Sequence, residues 1–184
     1  NDFSFELLRN TVAWSLADLA GYEVRNTFLG KSAERFNDSM GWLREIPDNP
    51  SPTFTFSHNY PPHAPFVFDR DGNIRSDIWP YGSSPSKSEA NQRYVDQLFY
   101  VGKAVDSVVD DILQRSSREP IIIVQGDHGP PPSRKVNKSA DGAPLAHHVL
   151  ERTAIFNAYY LPEYCRSSLY PTVSPVNTFR VVLN

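Results

Sequence analysis

Ile121-Ile122-Ile123-Val124-Gln125-Gly126-Asp127-His128-Gly129 is the stretch on which the fold reading turns. Four apolar residues without polar alternation predict a strand buried on both faces, as in the interior of a parallel sheet. The run then stops at an acid, an imidazole and a glycine. In open α/β sheets, ligands gather beyond the carboxyl ends of the strands. An Asp-His pair placed there offers an oxygen and a nitrogen to a divalent metal. Gly129 lets the backbone turn away without a Cβ in its path.

Working upstream, residues 87–116 give the clearest helix. Tyr94, Leu98, Val101, Val105, Val108, Val109 and Ile112 recur at three- and four-residue spacing. Asp106, Asp110 and Asp111 fall on what reads as its solvated face. Pro120 separates this helix from the strand, so strand, helix, strand is the expected local order and a right-handed parallel crossover follows from it. The first strand of that unit is Thr53-Phe54-Thr55-Phe56-Ser57, alternating and rich in β-branched and aromatic residues. It runs into His58-Asn59-Tyr60-Pro61-Pro62-His63-Ala64-Pro65-Phe66, where prolines end any pairing. Residues 69–86 read as a surface loop. Asp69-Arg70-Asp71-Gly72-Asn73 within it resembles a calcium loop only faintly and predicts a turn, because the terminal glutamate is missing. Two earlier helices are expected, over 3–20 and over 32–45. The second has Ser32 as its cap and Phe36, Met40 and Leu43 on one face.

Downstream of the Asp-His-Gly turn, residues 130–144 form a loop punctuated by glycine and proline and carrying Arg134, Lys135 and Lys138. His147 and His148 read as exposed loop residues. A strand follows over 153–160. Ser174-Pro175 then opens a last helix, serine as cap and proline in the first turn, with Phe179, Val182 and Leu183 as its apolar face.

Composition narrows the function. The 184 residues suffice for one domain with a core, and a net charge of -3 offers no basic block for nucleic acid. With Cys165 the only cysteine, an internal disulfide and a Cys-rich zinc knuckle are both excluded. No apolar run approaches the ~20 residues of a membrane span, and no signal peptide is visible. The chain starts at Asn1, directly in a helical pattern, as the interior of a longer protein would. Gly-x-Ser-x-Gly, HExxH, GxGxxG and a phosphate-binding glycine loop are all absent.

The five histidines cluster at strand ends: His58 and His63 after one, His128 after another, and His147 and His148 before a third. Asp127 and His128 are the candidate metal ligands. His63, and less strongly His58, are the candidate catalytic or anion-binding groups.

His58…Pro62-His63-Ala64-Pro65-Phe66, Tyr94-Val95-Asp96-Gln97-Leu98 and Ile121 through Gly129 together resemble the sulfatase-like branch of the alkaline phosphatase superfamily. That branch holds sulfatases, phosphoethanolamine transferases and lipoteichoic acid synthases. The tail, Ile155-Phe156-Asn157-Ala158-Tyr159-Tyr160-Leu161-Pro162 with Ser174-Pro175-Val176-Asn177-Thr178-Phe179-Arg180, is similar to a bacterial, membrane-anchored group within it. The resemblance covers 53–184 and leaves 1–52 as a helical segment of the same domain. It implies an α/β, alkaline-phosphatase-like sandwich: a mostly parallel central sheet flanked by helices, incomplete on its N-terminal side. It implies that Asp127 and His128 hold a divalent ion (Zn, Mn or Ca), that His63 meets the anion or protonates the leaving group, and that His58 sits behind it. A phosphate or sulfate ester is the implied substrate. The implied place is the extracytoplasmic face of a bacterial membrane, with any anchor in a part preceding this chain.

The departures carry equal weight. In the family, an acidic metal ligand and a Thr, Ser or formylglycine nucleophile lie upstream of everything matched here, and the sulfatase Cys/Ser-x-Pro-x-Arg signature is absent. The chain alone is therefore expected to be inactive on aryl phosphate and aryl sulfate. A degenerate domain that binds an anionic glycan or protein partner is the alternative. A third reading, an unrelated α/β metal protein, puts Asp127 and His128 in no common site with His63.

Overall fold

A computed structural model of the chain describes residues 22–78, 86–129 and 146–183. The helix expected over 3–20 and the loop bearing Arg134, Lys135 and Lys138 lie outside the described residues. The chain divides into two compact units, Asn1–Arg115 and Ser116–Asn184.

In the first unit, helix α1 spans Tyr22–Glu45. It begins well before the expected Ser32 cap, which lies in mid-helix. Gly30 is the one weak helix former nearby, and a single interior glycine costs only about 1 kcal/mol, too little to stop the helix. Ala33, Phe36 and Met40 are buried at helical spacing. A 3₁₀ turn over Ile46–Asp48, with Pro47 in it, closes the element.

Helix α2 spans Lys87–Arg115, close to the expected bounds. The Ser86 hydroxyl accepts the Glu89 N–H at 3.1 Å and caps its start. Its inward positions are Arg93, Gln97, Val101, Val108 and Ile112. The expected stripe is thus rotated by about one residue at its first half, and Leu98 faces solvent. The cause is polar. Arg93 donates to the Asp77 carbonyl at 2.7 Å and pairs with the Asp77 and Glu89 carboxylates. Gln97 serves the backbone of the loop that it covers. Satisfied polar atoms make such positions habitable in a core. The two helices meet through the Phe36, Phe68 and Tyr100 rings, with centroids 5.5 Å apart for Phe36–Phe68 and 4.7 Å for Phe68–Tyr100. Asp111, expected in solvent, pairs with Arg44, while Asp106 and Asp110 are exposed.

The Asp69–Asn73 segment is a turn, as expected. The Asp69 carboxylate accepts from the Asp71 and Asn73 backbone N–H groups at 2.9 Å each and from the Asn73 amide at 2.9 Å. Gly72 holds φ at 91°, and a Cβ there would meet the Tyr100 ring at 2.2 Å. An isolated bridge, Phe68 to Ile74, closes the turn.

In the second unit, strand β1 (Ile122–Gln125) pairs with strand β2 (Asn157–Tyr160). The pairing is antiparallel, with Ile122 opposite Tyr160 and Gln125 opposite Asn157. Helix α3 spans Ala146–Thr153 and takes in His147 and His148, whose side chains are outside the described residues. A short α4 (Glu163–Arg166), a 3₁₀ turn over Pro175–Asn177 and α5 (Thr178–Leu183) complete it. Ser174 precedes that turn as its cap residue, as expected, but Thr178 and Val181 face inward rather than Phe179 and Leu183.

The expected sandwich with a mostly parallel central sheet is overturned: the described residues carry one sheet of two antiparallel strands. Thr53–Ser57 forms no strand, and Phe54 and Phe56 are 79% and 76% exposed. The described residues thus offer no strand from which a parallel crossover could lead to β1, and its ladder is completed by β2. Ile122, Ile123 and Val124 are accordingly half-buried, not covered on both faces. Among the described residues no helix is long and apolar enough to cross a membrane.

Candidate functional site

The Asp-His-Gly turn is built where β1 ends. Gly126 N–H donates to the Phe156 carbonyl at 2.9 Å, one residue beyond the ladder, so the turn starts from a fixed point. Gly129 then docks on the C-terminal end of α3. Its N–H donates to the Arg152 carbonyl at 2.7 Å, one of the carbonyls a helix end leaves without an internal partner. The Arg152 guanidinium donates back to the Gly129 carbonyl at 2.8 Å. A Cβ on Gly129 would lie 2.0 Å from the Glu151 carbonyl oxygen. Only glycine permits that approach.

This docking orients His128. Its Nδ1 lies 2.9 Å from the Gly129 carbonyl oxygen, which can only accept, so Nδ1 carries the proton of the neutral ring. The lone pair is then on Nε2, which lies 3.4 Å from Asp127 Oδ2. Asp127 Oδ1 accepts the His128 backbone N–H at 2.9 Å, which holds the carboxylate beside the ring. Two donors each about 2.0–2.2 Å from a tetrahedral zinc lie roughly 3.4 Å apart. A backbone carbonyl holding the other ring nitrogen is the usual support of a metal-binding histidine. The pair therefore fits two positions of a metal's coordination shell. The same spacing suits an Asp–imidazolium ion pair, so a metal and a second proton compete for one lone pair. Among the described residues no group of three or more His, Cys, Asp or Glu side chains is placed to share an ion.

The two candidate histidines of the first unit differ. His58 is exposed, edge-on to Phe56 with ring centroids 6.5 Å apart. His63 is half-buried in the proline loop, its ring centroid 4.6 Å from that of Tyr60. Its backbone N–H donates to the Tyr60 carbonyl at 2.9 Å. His63 Nδ1 lies 2.6 Å from the Ala64 carbonyl oxygen, which again assigns the proton to Nδ1. Beneath the loop, burial pushes the Tyr94 phenol up from its ordinary value, and its ring meets Phe66 at 6.1 Å.

The turn thus brings Asp127 and His128 together in the second unit, and His58 and His63 are placed in the first. The sequence reading missed two contributors. Arg152 shares the Gly129 carbonyl with His128, and nothing in its own neighbourhood of sequence marks it. Gln97 holds the His63 loop. Its one visible signal is its spacing of four from both Arg93 and Val101. Comparison with protein-family models, with curated proteins and with solved structures found no match to the chain.

Proposed function

We propose that the chain forms part of a metal-dependent hydrolase or transferase acting on phosphate or sulfate esters. The resemblance supports Asp127 and His128 as its divalent-metal ligands and His63 and His58 as its catalytic or anion-binding groups. The observation that carries this reading is the His128 ring. Its Nδ1 proton is fixed by its own loop, and its Nε2 is 3.4 Å from a carboxylate oxygen. An oxygen–imidazole pair favours zinc over manganese and calcium. When bound, such an ion lowers the pKa of a nucleophile and offsets charge on the transferring group. His63, protonated on both nitrogens, can donate from Nε2 to an ester oxygen, because Nδ1 is already engaged with Ala64. Its resemblance to a membrane-anchored group supports an extracytoplasmic setting for that chemistry.

The test is calorimetric titration with zinc, manganese and calcium of the wild type, Asp127→Ala and His128→Ala. Zinc binds the wild type near one equivalent, and each substitution weakens it by at least about tenfold, the lower end of what even supporting residues of metal sites cost. Unchanged zinc affinity in both variants refutes the assignment. Zinc and phosphate binding without turnover in the presence of every segment of the protein supports the alternative, a domain that binds an anionic glycan or partner.

A further inference from the structure

Gln97 is fully buried, the only polar side chain in the chain's innermost set of residues among those described. Its carboxamide is used at both ends. Oε1 accepts the Val67 N–H at 2.7 Å and the Phe68 N–H at 3.1 Å. Nε2 donates to the His63 carbonyl at 3.1 Å. Both lone pairs of the oxygen are therefore committed, and the nitrogen holds one end of the loop while the oxygen holds the other. Between those ends lies Ala64, whose carbonyl fixes the proton on His63 Nδ1. Ionised glutamate keeps the acceptor and loses the donor, its protonated form keeps both, and methionine keeps neither.

We propose that Gln97 is a positioning residue for His63. It holds the 63–68 loop in the conformation that keeps the ring's Nδ1 on the Ala64 carbonyl, so that Nε2 is the nitrogen that gains and gives the mobile proton. In that role the imidazolium passes its Nε2 proton to a leaving oxygen and returns to the neutral ring with Nδ1 still protonated. The inference deepens the function proposed above, because His63 matters there as the group that meets the ester. Its test needs neither metal nor ester, so it can fail or succeed independently of that reading.

Nitrogen NMR of the His63 ring in the neutral state reports which nitrogen carries the proton. In the wild type Nδ1–H predominates, and a through-hydrogen-bond coupling links the Gln97 side-chain nitrogen to the His63 carbonyl carbon. In Gln97→Glu the Val67 and Phe68 N–H groups keep their acceptor, so amide shifts over 67–74 stay near wild type. With that carboxylate ionised the His63 arm is lost, and the ring moves to mostly Nε2–H. Gln97→Met gives the same tautomer change together with displaced 67–74 shifts. A purely structural role predicts that the tautomer stays at Nδ1–H in a folded Gln97→Met and in Gln97→Glu with its carboxylate ionised, and that result overturns the proposal. So does absence of the wild-type coupling, whatever the variants do.

Discussion

Gly129→Ala against Gly126→Ala separates a built turn from a passive one. The two glycines flank Asp127 and His128, and the substitution adds the same single methyl group. At Gly126 the nearest atom to an added Cβ is on Ile155, at 3.8 Å, an ordinary contact. At Gly129 the Glu151 carbonyl oxygen stands at 2.0 Å and the carbonyl carbons of Glu151 and Arg152 at 3.1 and 3.3 Å. All three are backbone, so no side chain can swing aside. Relief requires the turn to lift off α3, breaking the Gly129–Arg152 backbone bond at 2.7 Å and the return bond from the Arg152 guanidinium at 2.8 Å. Each lost hydrogen bond costs about 1 kcal/mol, more where a buried group is left without a partner. Against that, alanine restricts the unfolded chain and returns roughly 0.4–1 kcal/mol. Gly129→Ala is therefore expected to destabilise the second unit by about 1–3 kcal/mol. Gly126→Ala should leave it unchanged or raise its stability by up to about 1 kcal/mol. Tryptophan fluorescence is the wrong probe, since Trp14, Trp42 and Trp79 all precede residue 116. Hydrogen exchange of the β1 amides reads the second unit directly. A gap of about 1–4 kcal/mol between the variants is roughly 5- to 1000-fold in exchange rate. Equal exchange in the two variants refutes the docking argument, and with it the claim that the local fold sets the His128 tautomer.

Three further outcomes follow from the first unit and the Asp127–His128 turn. Phe36→Ala removes a ring packed on Phe68 and Tyr100 and should cost about 3–5 kcal/mol in urea unfolding followed at Trp42; a loss under 1 kcal/mol contradicts the core assignment. The Asp69 carboxyl lies below its ordinary value of 3.8, chiefly because the Asn73 side chain donates to it, with backbone donors adding. Because the folded value is depressed, the stability it contributes is present above pH 3.8 and is lost as pH falls through the lowered value. In Asn73→Ala a carboxyl-carbon titration should show Asp69 shifted upward toward that ordinary value, and an unmoved titration excludes the Asn73 cause. Arg152→Met removes one of the two donors to the Gly129 carbonyl. It should loosen the turn and weaken zinc binding by about tenfold or more, as loss of supporting partners does at metal sites, and unchanged calorimetry shows the guanidinium to be dispensable.

What the sequence disclosed depended on whether the deciding physics was local. Helix α2 was legible because a long 3.6-residue pattern is a local signal. The start of the last helical segment was legible for the same reason, since Ser174-Pro175 fixes an entry geometry. The turn at Asp69 was read from its glycine and its short acidic side chain. The rotation of α2 by a residue was not readable, because periodicity counts Gln97 and Arg93 as solvent-facing, and only their hydrogen-bond and ion-pair partners reverse that. The strand at 122–125 was visible, but a run of four apolar residues says nothing about the direction of its neighbour. Pairing with Asn157–Tyr160 decided that. Thr53–Ser57 shows the limit from the other side: alternation describes a segment able to pair, and pairing needs a partner, which the described residues do not supply.

The overturned sheet still brings Asp127 and His128 side by side, because the antiparallel pairing itself sets their turn against α3. Three facts make the pair: a glycine that alone fits against the end of α3, a carbonyl that fixes the Nδ1 proton, and a carboxylate held beside Nε2 by its neighbour's N–H. The last two lie within residues 127–129, but the first depends on the antiparallel pairing, which sets Asn157 opposite Gln125 and so brings α3 and Phe156, 17 to 27 residues beyond Gly129 in sequence, beside the turn. Protons and zinc compete for the same Nε2 lone pair, so acidification must weaken zinc binding by the wild type. In His128→Ala that component disappears along with the affinity. If instead the residual binding of His128→Ala keeps the wild-type pH dependence, the imidazole is not a ligand, and the 3.4 Å spacing is only the geometry of a solvent-exposed ion pair.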